Sequence, residues 1–192
     1  GISAGEDAPN VVNVFVEIVP TDTIKYEVDK ETGYLKIDRP QKFSNIIPAL
    51  YGFIPKTYCE DAVKDLAVET GATEITEGDH DPLDICVLSS HSVTTGNILC
   101  EAIPIGGFQM IDGGEADDKI IAVLVGDQVY GHIKDLSELP KAEIDRLLHY
   151  FISYKNLPTE PAKVKIDFIY GADHAKKVIV ASQKDYNDNY GE

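Results

Sequence analysis

Near the start of the chain, apolar side chains recur at every second position. Val12, Val14, Val16 and Ile18 alternate with Asn13, Phe15 and Glu17. A period of two belongs to a strand with one buried face, and it returns after Pro20 in Ile24-Lys25-Tyr26-Glu27-Val28. Asp29 to Gly33 carries turn chemistry before another run, Tyr34 to Arg39. Strand-like runs continue at Leu83 to Leu88, Ile98 to Ile105 and Lys119 to Val125. Many short strands with turns between them favour a closed barrel over a parallel sheet. The last third is mixed. Pro140 stands at a helix start, and Ile144, Leu147, Leu148, Phe151 and Ile152 follow at helical spacing, predicting an amphipathic helix that ends near Asn156. Val164, Ile166, Phe168 and Tyr170 alternate again as a strand. Asp173 is placed to cap a final helix with Val178, Ile179 and Ser182 on its inner face. Residues 56–78 show no readable period, and a surface excursion or extra hairpin is expected there. The expected fold class is α+β, mainly β. One domain spans residues 1–192, a closed barrel flanked by two helices in the C-terminal region.

Charge narrows the function. With 33 Asp and Glu against 17 Lys and Arg, the 192-residue chain carries a formal −16. Such a surplus repels nucleic acid and anionic lipid and suits a protein that collects cations. No stretch of 18 apolar residues offers a membrane span. The opening GISAGEDAPN has neither a basic start nor an apolar core, so no secretory signal is expected. Cys59, Cys86 and Cys100 are odd in number and form no CxxC, which fits a reduced, cytoplasmic setting better than a disulfide scaffold.

The acidic residues are not spread evenly. Gly78-Asp79-His80-Asp81-Pro82-Leu83-Asp84 runs straight into Ile85-Cys86-Val87-Leu88. Three carboxylates this close repel one another unless solvent or a cation relieves them. A second acidic loop, Asp112-Gly113-Gly114-Glu115-Ala116-Asp117-Asp118, joins two strand-like runs. Either loop alone reads as a solvated turn. Together, with matching Asp pairs at 79/84 and 112/117, they read as a metal site. Carboxylate oxygens suit Mg²⁺, Mn²⁺ or Ca²⁺, whereas Zn²⁺ calls for His and Cys. An EF-hand fails, because Leu83 and Asp84 fall where an oxygen ligand and the loop glycine belong. His80 and His91 lack ligand spacing and read as exposed loop residues.

Cations stand elsewhere in the chain. Lys25 and Glu27 share one face of their predicted strand, Arg39 ends the next, Tyr51-Gly52 follows a short loop, and Tyr154-Lys155 closes the amphipathic helix. Each alone has a structural reading as surface pair, packing residue or helix-end charge. A site that gathers several divalent cations with Lys, Arg and Tyr suits a small anion dense in oxygen, such as phosphate or pyrophosphate. No GxxxxGK[ST], GxSxG, HExxH or helix-opening GxGxxG is present.

This constellation resembles the family I soluble inorganic pyrophosphatases. Their D-x-D-P-x-D signature before an apolar strand is matched by Asp79, Asp81, Pro82 and Asp84. Phe15 to Ile18, Ile24 to Lys30, Asp38-Arg39, Tyr51-Gly52, Met110 to Lys119, His132 to Leu136 and Tyr154-Lys155 match in order and spacing. The resemblance implies an OB-fold-like five-stranded barrel, a requirement for several Mg²⁺ ions, and a homo-oligomer, hexameric in many bacteria. It implies Asp79, Asp84 and Asp117 as ligands of the tighter ions, with Asp112 joining when substrate arrives. Asp81 is implied as general base, and Lys25, Arg39, Tyr51, Tyr154 and Lys155 as phosphate binders. Glu17 and Glu27 fall at the rim of the site or behind its ligands, and Lys119 beside the acidic loop. Mn²⁺ is an expected substitute and Ca²⁺ an inhibitor. The chain departs from the pattern at Ile47, where the family has Tyr, and at Gly113, often acidic. It is also longer over 56–78, and either Lys163 or Lys165 occupies the position of a basic residue after the helix.

The expected chemistry is hydrolysis of pyrophosphate to two orthophosphates by a metal-bridged hydroxide, with Asp81 taking the proton. The competing readings are a cation store without turnover and a metal-dependent phosphatase acting on nucleotides or polyphosphate. The adjacent Lys25, Arg39 and Lys155 speak against the first, and the lack of an obvious aromatic platform for a base speaks against the second.

Overall fold

The early alternation folds into strands in the computed structural model, which describes residues 1–191. β1 (Val12–Ile18) buries Val12, Val14, Val16 and Ile18 as the period of two predicts. β2 (Ile24–Val28) and β3 (Leu35–Pro40) pair only with each other, as a two-stranded ribbon. β1 pairs antiparallel with β4 (Leu50–Phe53), and β4 with β6 (Asp84–Leu88). β6 lies parallel to β9 (Lys119–Leu124), which pairs antiparallel with β7 (Ile98–Asp112), and β7 returns to β1. The ring β1-β4-β6-β9-β7 therefore closes on itself. Closure removes the two free edges that five open strands would expose.

Strand β7 runs to Asp112, seven residues past its expected end at Ile105. The Gly106-Gly107 pair within it marks a close approach. A Cβ on Gly106 would sit 2.4 Å from the Tyr170 carbonyl oxygen, and one on Gly107 would sit 2.6 Å from the Tyr170 ring. The extension pairs with β10 (Val164–Gly171). The central strands β6 and β9 are buried on both faces, which is why they read as apolar runs rather than alternations. Ile85, Val87, Ile120 and Ala122 enter one core, and Cys86, Leu88, Ile121 and Val123 enter the other.

Among the described residues three α-helices flank the ring, one more than the two expected. α2 (Lys141–Ser153) starts one residue after Pro140 and buries Leu147, Tyr150 and Phe151 in the second core. α3 (Ala172–Tyr190) buries Val178, Ile179 and Ser182 as expected. Asp173 does not cap it and lies in its first turn; the Ala172 N–H donates to Asp135 Oδ1 instead, at 2.8 Å. Residues 56–78 form neither a hairpin nor a mere excursion. They hold α1 (Asp61–Glu69), whose Val63 and Ala67 belong to the first core. Nine residues with no cap of their own give a weak helical signal. Its cap comes from α3, where the buried Asp185 carboxylate accepts from the Glu60, Ala62 and Val63 N–H groups at 2.8–3.0 Å. Ile47 is 1% exposed in the second core, so that departure from the family pattern is a packing residue.

Candidate active site

Strand register brings the two acidic loops together. Parallel pairing of β6 with β9 sets Asp84 opposite Lys119 at the starts of both strands. A second parallel ladder, β5 (Glu77–Gly78) with β8 (Glu115–Ala116), ties the loops once more. The first loop is held from behind. His80 N–H donates to the Cys59 carbonyl and Cys59 N–H to the Asp81 carbonyl, both at 3.0 Å. Gly78 makes room for that strap, since a Cβ there would lie 2.1 Å from the Cys59 oxygen. His80 has φ +59°, and the Asp81 N–H folds back onto Asp79 Oδ1 at 3.1 Å. In the second loop Asp112 pairs with Glu115 across Gly113 and Gly114, at φ +60° and +85°. A two-residue hairpin turn with both φ values positive selects glycine, which accounts for Gly113 where the family often has an acid.

Asp79, Asp84 and Asp117 each present a carboxylate oxygen within 4.8 Å of the others. Lys119, 3% exposed, donates to Asp84 Oδ2 at 2.5 Å, to Asp117 Oδ1 at 2.8 Å and to the Tyr51 hydroxyl at 3.1 Å. Burial opposes its charge, but Asp117 and Asp84 outweigh that and raise its pKa well above the ordinary lysine value. Burial lifts Asp84, with Lys119 pulling back. Burial also pushes up on Asp117, but Lys119 outweighs it and holds that carboxyl below its ordinary value. Burial, followed by repulsion from Asp117 and Asp84, raises the Asp79 pKa to about 10, and Lys119 pulls on it too weakly to offset them. Three carboxylates against one ammonium leave the cluster in need of positive charge: a proton on Asp79, or a hard divalent cation bound to the oxygens. The donor set fits such an ion.

A cavity of about 300 Å³ opens over this cluster. Asp81, Asp112, Lys25, Arg39, Tyr51, Tyr154 and Lys155 line it together with Asp79, Asp84, Asp117 and Lys119. Lys155 pairs with Asp112, Lys25 pairs with Asp38 at 2.8 Å, and the Arg39 guanidinium carbon lies 5.9 Å from the Tyr154 ring centre. Glu17 and Glu27 line the adjoining cleft, which shares Lys25, Tyr51, Asp81 and Asp84. Glu17 is buried and accepts from the Val28 N–H at 3.0 Å, and burial lifts its pKa to about 7. His80 and His91 are exposed, as expected. Lys163 reaches the Lys155 carbonyl at 3.5 Å, whereas Lys165 is engaged by Glu74 and Asp167. Sequence reading assigned no role to three residues now at the site. Glu115 lines the cavity, Asp38 holds Lys25, and Lys30 holds Asp81 at 2.7 Å. Lys30 and Asp38 sat within matched segments, but nothing local says which way they point.

Ring and cavity together define a site where carboxylates face a cluster of cations, suited to a small anion rich in oxygen. Residues 14–187 match the family described as Inorganic pyrophosphatase. The chain is 51% identical over 177 residues to the inorganic pyrophosphatase of Chlamydia trachomatis serovar L2, covering 90% of this chain and 85% of that one. It is 39% identical over 186 residues to soluble inorganic pyrophosphatase 2 of Chlamydomonas reinhardtii, covering 97% and 86%. The crystal structure of the Thermus thermophilus inorganic pyrophosphatase superposes with a TM-score of 0.81 at 29% identity, over 97% of both chains. The chain belongs to the inorganic pyrophosphatase family and is a hydrolase acting on pyrophosphate.

Proposed function

We propose that this pyrophosphatase works with Mg²⁺ held by Asp79, Asp84 and Asp117, with Asp112 recruited when substrate enters. The convergence of those three carboxylates beside a ring of cations carries the reading. A divalent cation bound there lowers the pKa of water towards neutrality and neutralises phosphoryl charge. Asp81 stands 56% exposed at the cavity edge, able to accept the proton of the attacking water as general base. Lys25, Arg39 and Lys155 hold the phosphoryl oxygens and offset charge on the leaving phosphate, with the Tyr51 and Tyr154 hydroxyls orienting them. Lys155 is tied to Asp112, so its move to a phosphate oxygen frees Asp112 as a ligand. Lys119 keeps Asp84 and Asp117 apart from direct repulsion and fixes their oxygens. Glu17 anchors the β2–β3 ribbon through Val28, and Glu27 lies at the rim, 3.6 Å from the Lys36 ammonium. Mn²⁺, octahedral and oxygen-seeking, substitutes, whereas Ca²⁺ inhibits through its larger, looser shell.

The three free thiols support a reducing compartment, the cytoplasm. Among the described residues no helix is long and apolar enough to cross a membrane. A homo-oligomer, a hexamer by family resemblance, finds exposed apolar surface on α2 at Ile152, near His149. Sedimentation velocity tests the assembly. Phosphate release from pyrophosphate, ATP and a phosphomonoester, each with Mg²⁺ and with chelator, tests the activity. Fast turnover of pyrophosphate alone, lost on chelation, is expected. Faster release from ATP or the monoester would make it a general phosphatase, and cation binding without turnover would make it a store.

A further inference from the structure

The carboxylate of Asp81 has one side-chain partner among the described residues, and it comes from 51 positions away. Lys30 Nζ lies 2.7 Å from Asp81 Oδ1. The Asp81 backbone is fixed independently, its N–H on Asp79 Oδ1 and its carbonyl on the Cys59 N–H. Nothing else holds the side chain, which is 56% exposed. Lys30 sits just past the end of β2, in the turn of a ribbon that shares no ladder with the ring. The same ribbon carries Lys25 and Arg39 to the far wall of the cavity. We propose that Lys30 is a positioning residue. It clamps one oxygen of Asp81 so that the other faces the cavity.

The inference rests on the proposed role of Asp81 as general base. An exposed ion pair adds little to stability, so its effect falls on orientation. Freed of the clamp, the Asp81 side chain spreads over its staggered χ1 wells. A base must stay within hydrogen-bond reach of the proton it takes. The fraction poised for proton transfer then falls roughly three- to tenfold.

The test is steady-state pyrophosphate hydrolysis by Lys30→Ala, Lys30→Arg, Asp81→Asn and the Lys30→Ala/Asp81→Asn double variant, with melting temperature and Mg²⁺ titration for each. For Lys30→Ala the expected result is a roughly three- to tenfold lower kcat, with KM, the Mg²⁺ requirement and the melting temperature unchanged. Lys30→Arg restores most of kcat, because a guanidinium reaches the same oxygen. In the Asp81→Asn background, Lys30→Ala has no further effect, since a residue acting only through Asp81 has nothing left to position. The inference is overturned by an unchanged kcat, by a loss carried in KM, or by an equal further loss in the Asp81→Asn background. A wild-type chain that released no phosphate would overturn the parent reading and this one together. A fully active Asp81→Asn variant would overturn the general base and this inference with it, while leaving the pyrophosphatase reading standing.

Discussion

Replacing Asp185 with Ala strips α1 of its cap. The carboxylate is 2% exposed and accepts three N–H groups, from Glu60, Ala62 and Val63 at 2.9, 2.8 and 3.0 Å. Glu60, at the N-cap position, makes no side-chain cap bond that could take over. Removal leaves backbone donors with no partner where water enters poorly, and each costs about 1 kcal/mol or more. The favourable placement of a negative charge at a helix N-terminus goes with them. The total is about 3 kcal/mol, above the usual ~1 kcal/mol for a solvent-exposed cap. Urea unfolding of the wild type, Asp185→Asn and Asp185→Ala reads it. The midpoint should fall by roughly 1–2 M for Ala at an unchanged slope, taking a slope of about 2 kcal/mol/M. Asn keeps one acceptor oxygen and falls between. Amide exchange should quicken first in α1 and in the Cys59 strap behind Asp79 and Asp81. A loss below about 1 kcal/mol for Asp185→Ala would refute the reasoning, because three shielded donors, that of Val63 buried, cannot be abandoned so cheaply.

Other outcomes follow from the site. Asp81→Asn should lower kcat by about 10²–10⁴-fold with an unaltered Mg²⁺ titration; a matching loss of Mg²⁺ affinity would make Asp81 a ligand instead. Asp117→Ala should raise the Mg²⁺ concentration for half activity, and an unshifted titration would remove it from the ligand set. Ca²⁺ added against fixed Mg²⁺ should inhibit, and undiminished turnover would contradict a site tuned to a small octahedral ion. Asp127, with its N–H partners at Ser90, Val129 and Tyr130, has its pKa pulled down to about 2 against the push of burial. A lowered carboxyl stabilises the fold above its unfolded value of 3.8 and loses that contribution as pH falls towards 2. Asp127→Ala should therefore flatten the acid limb of the stability curve in that window, as read by denaturant midpoints from pH 5 to 2.

Much of this was legible in the order of residues. The alternation from Val12 to Ile18 and the apolar spacing from Ile144 to Phe151 report one buried face each, a local property that local chemistry reveals, although Ile152 at the same spacing stays exposed. The acidic clusters and the family-matched segments named the residues that now line one cavity. Less visible was α1, because its first-turn N–H groups are satisfied by Asp185 on α3 rather than by a neighbour. The length of β7 beyond Ile105 was hidden for the same reason, since it depends on β10 and Tyr170 lying against Gly106 and Gly107.

Sequence alone determined which carboxylates and cations were available, and that short strands would dominate the first two-thirds with two strong helices after residue 140. Tertiary structure decided which of them meet. Closure of the five-stranded ring set β6 parallel to β9 and so put Lys119 between Asp84 and Asp117. It also brought Asp185 to α1 and Lys30 to Asp81. Periodicity records only the face a segment buries. Its neighbour is chosen by the chain path that closes the ring and buries the two cores, and that choice belongs to the whole molecule.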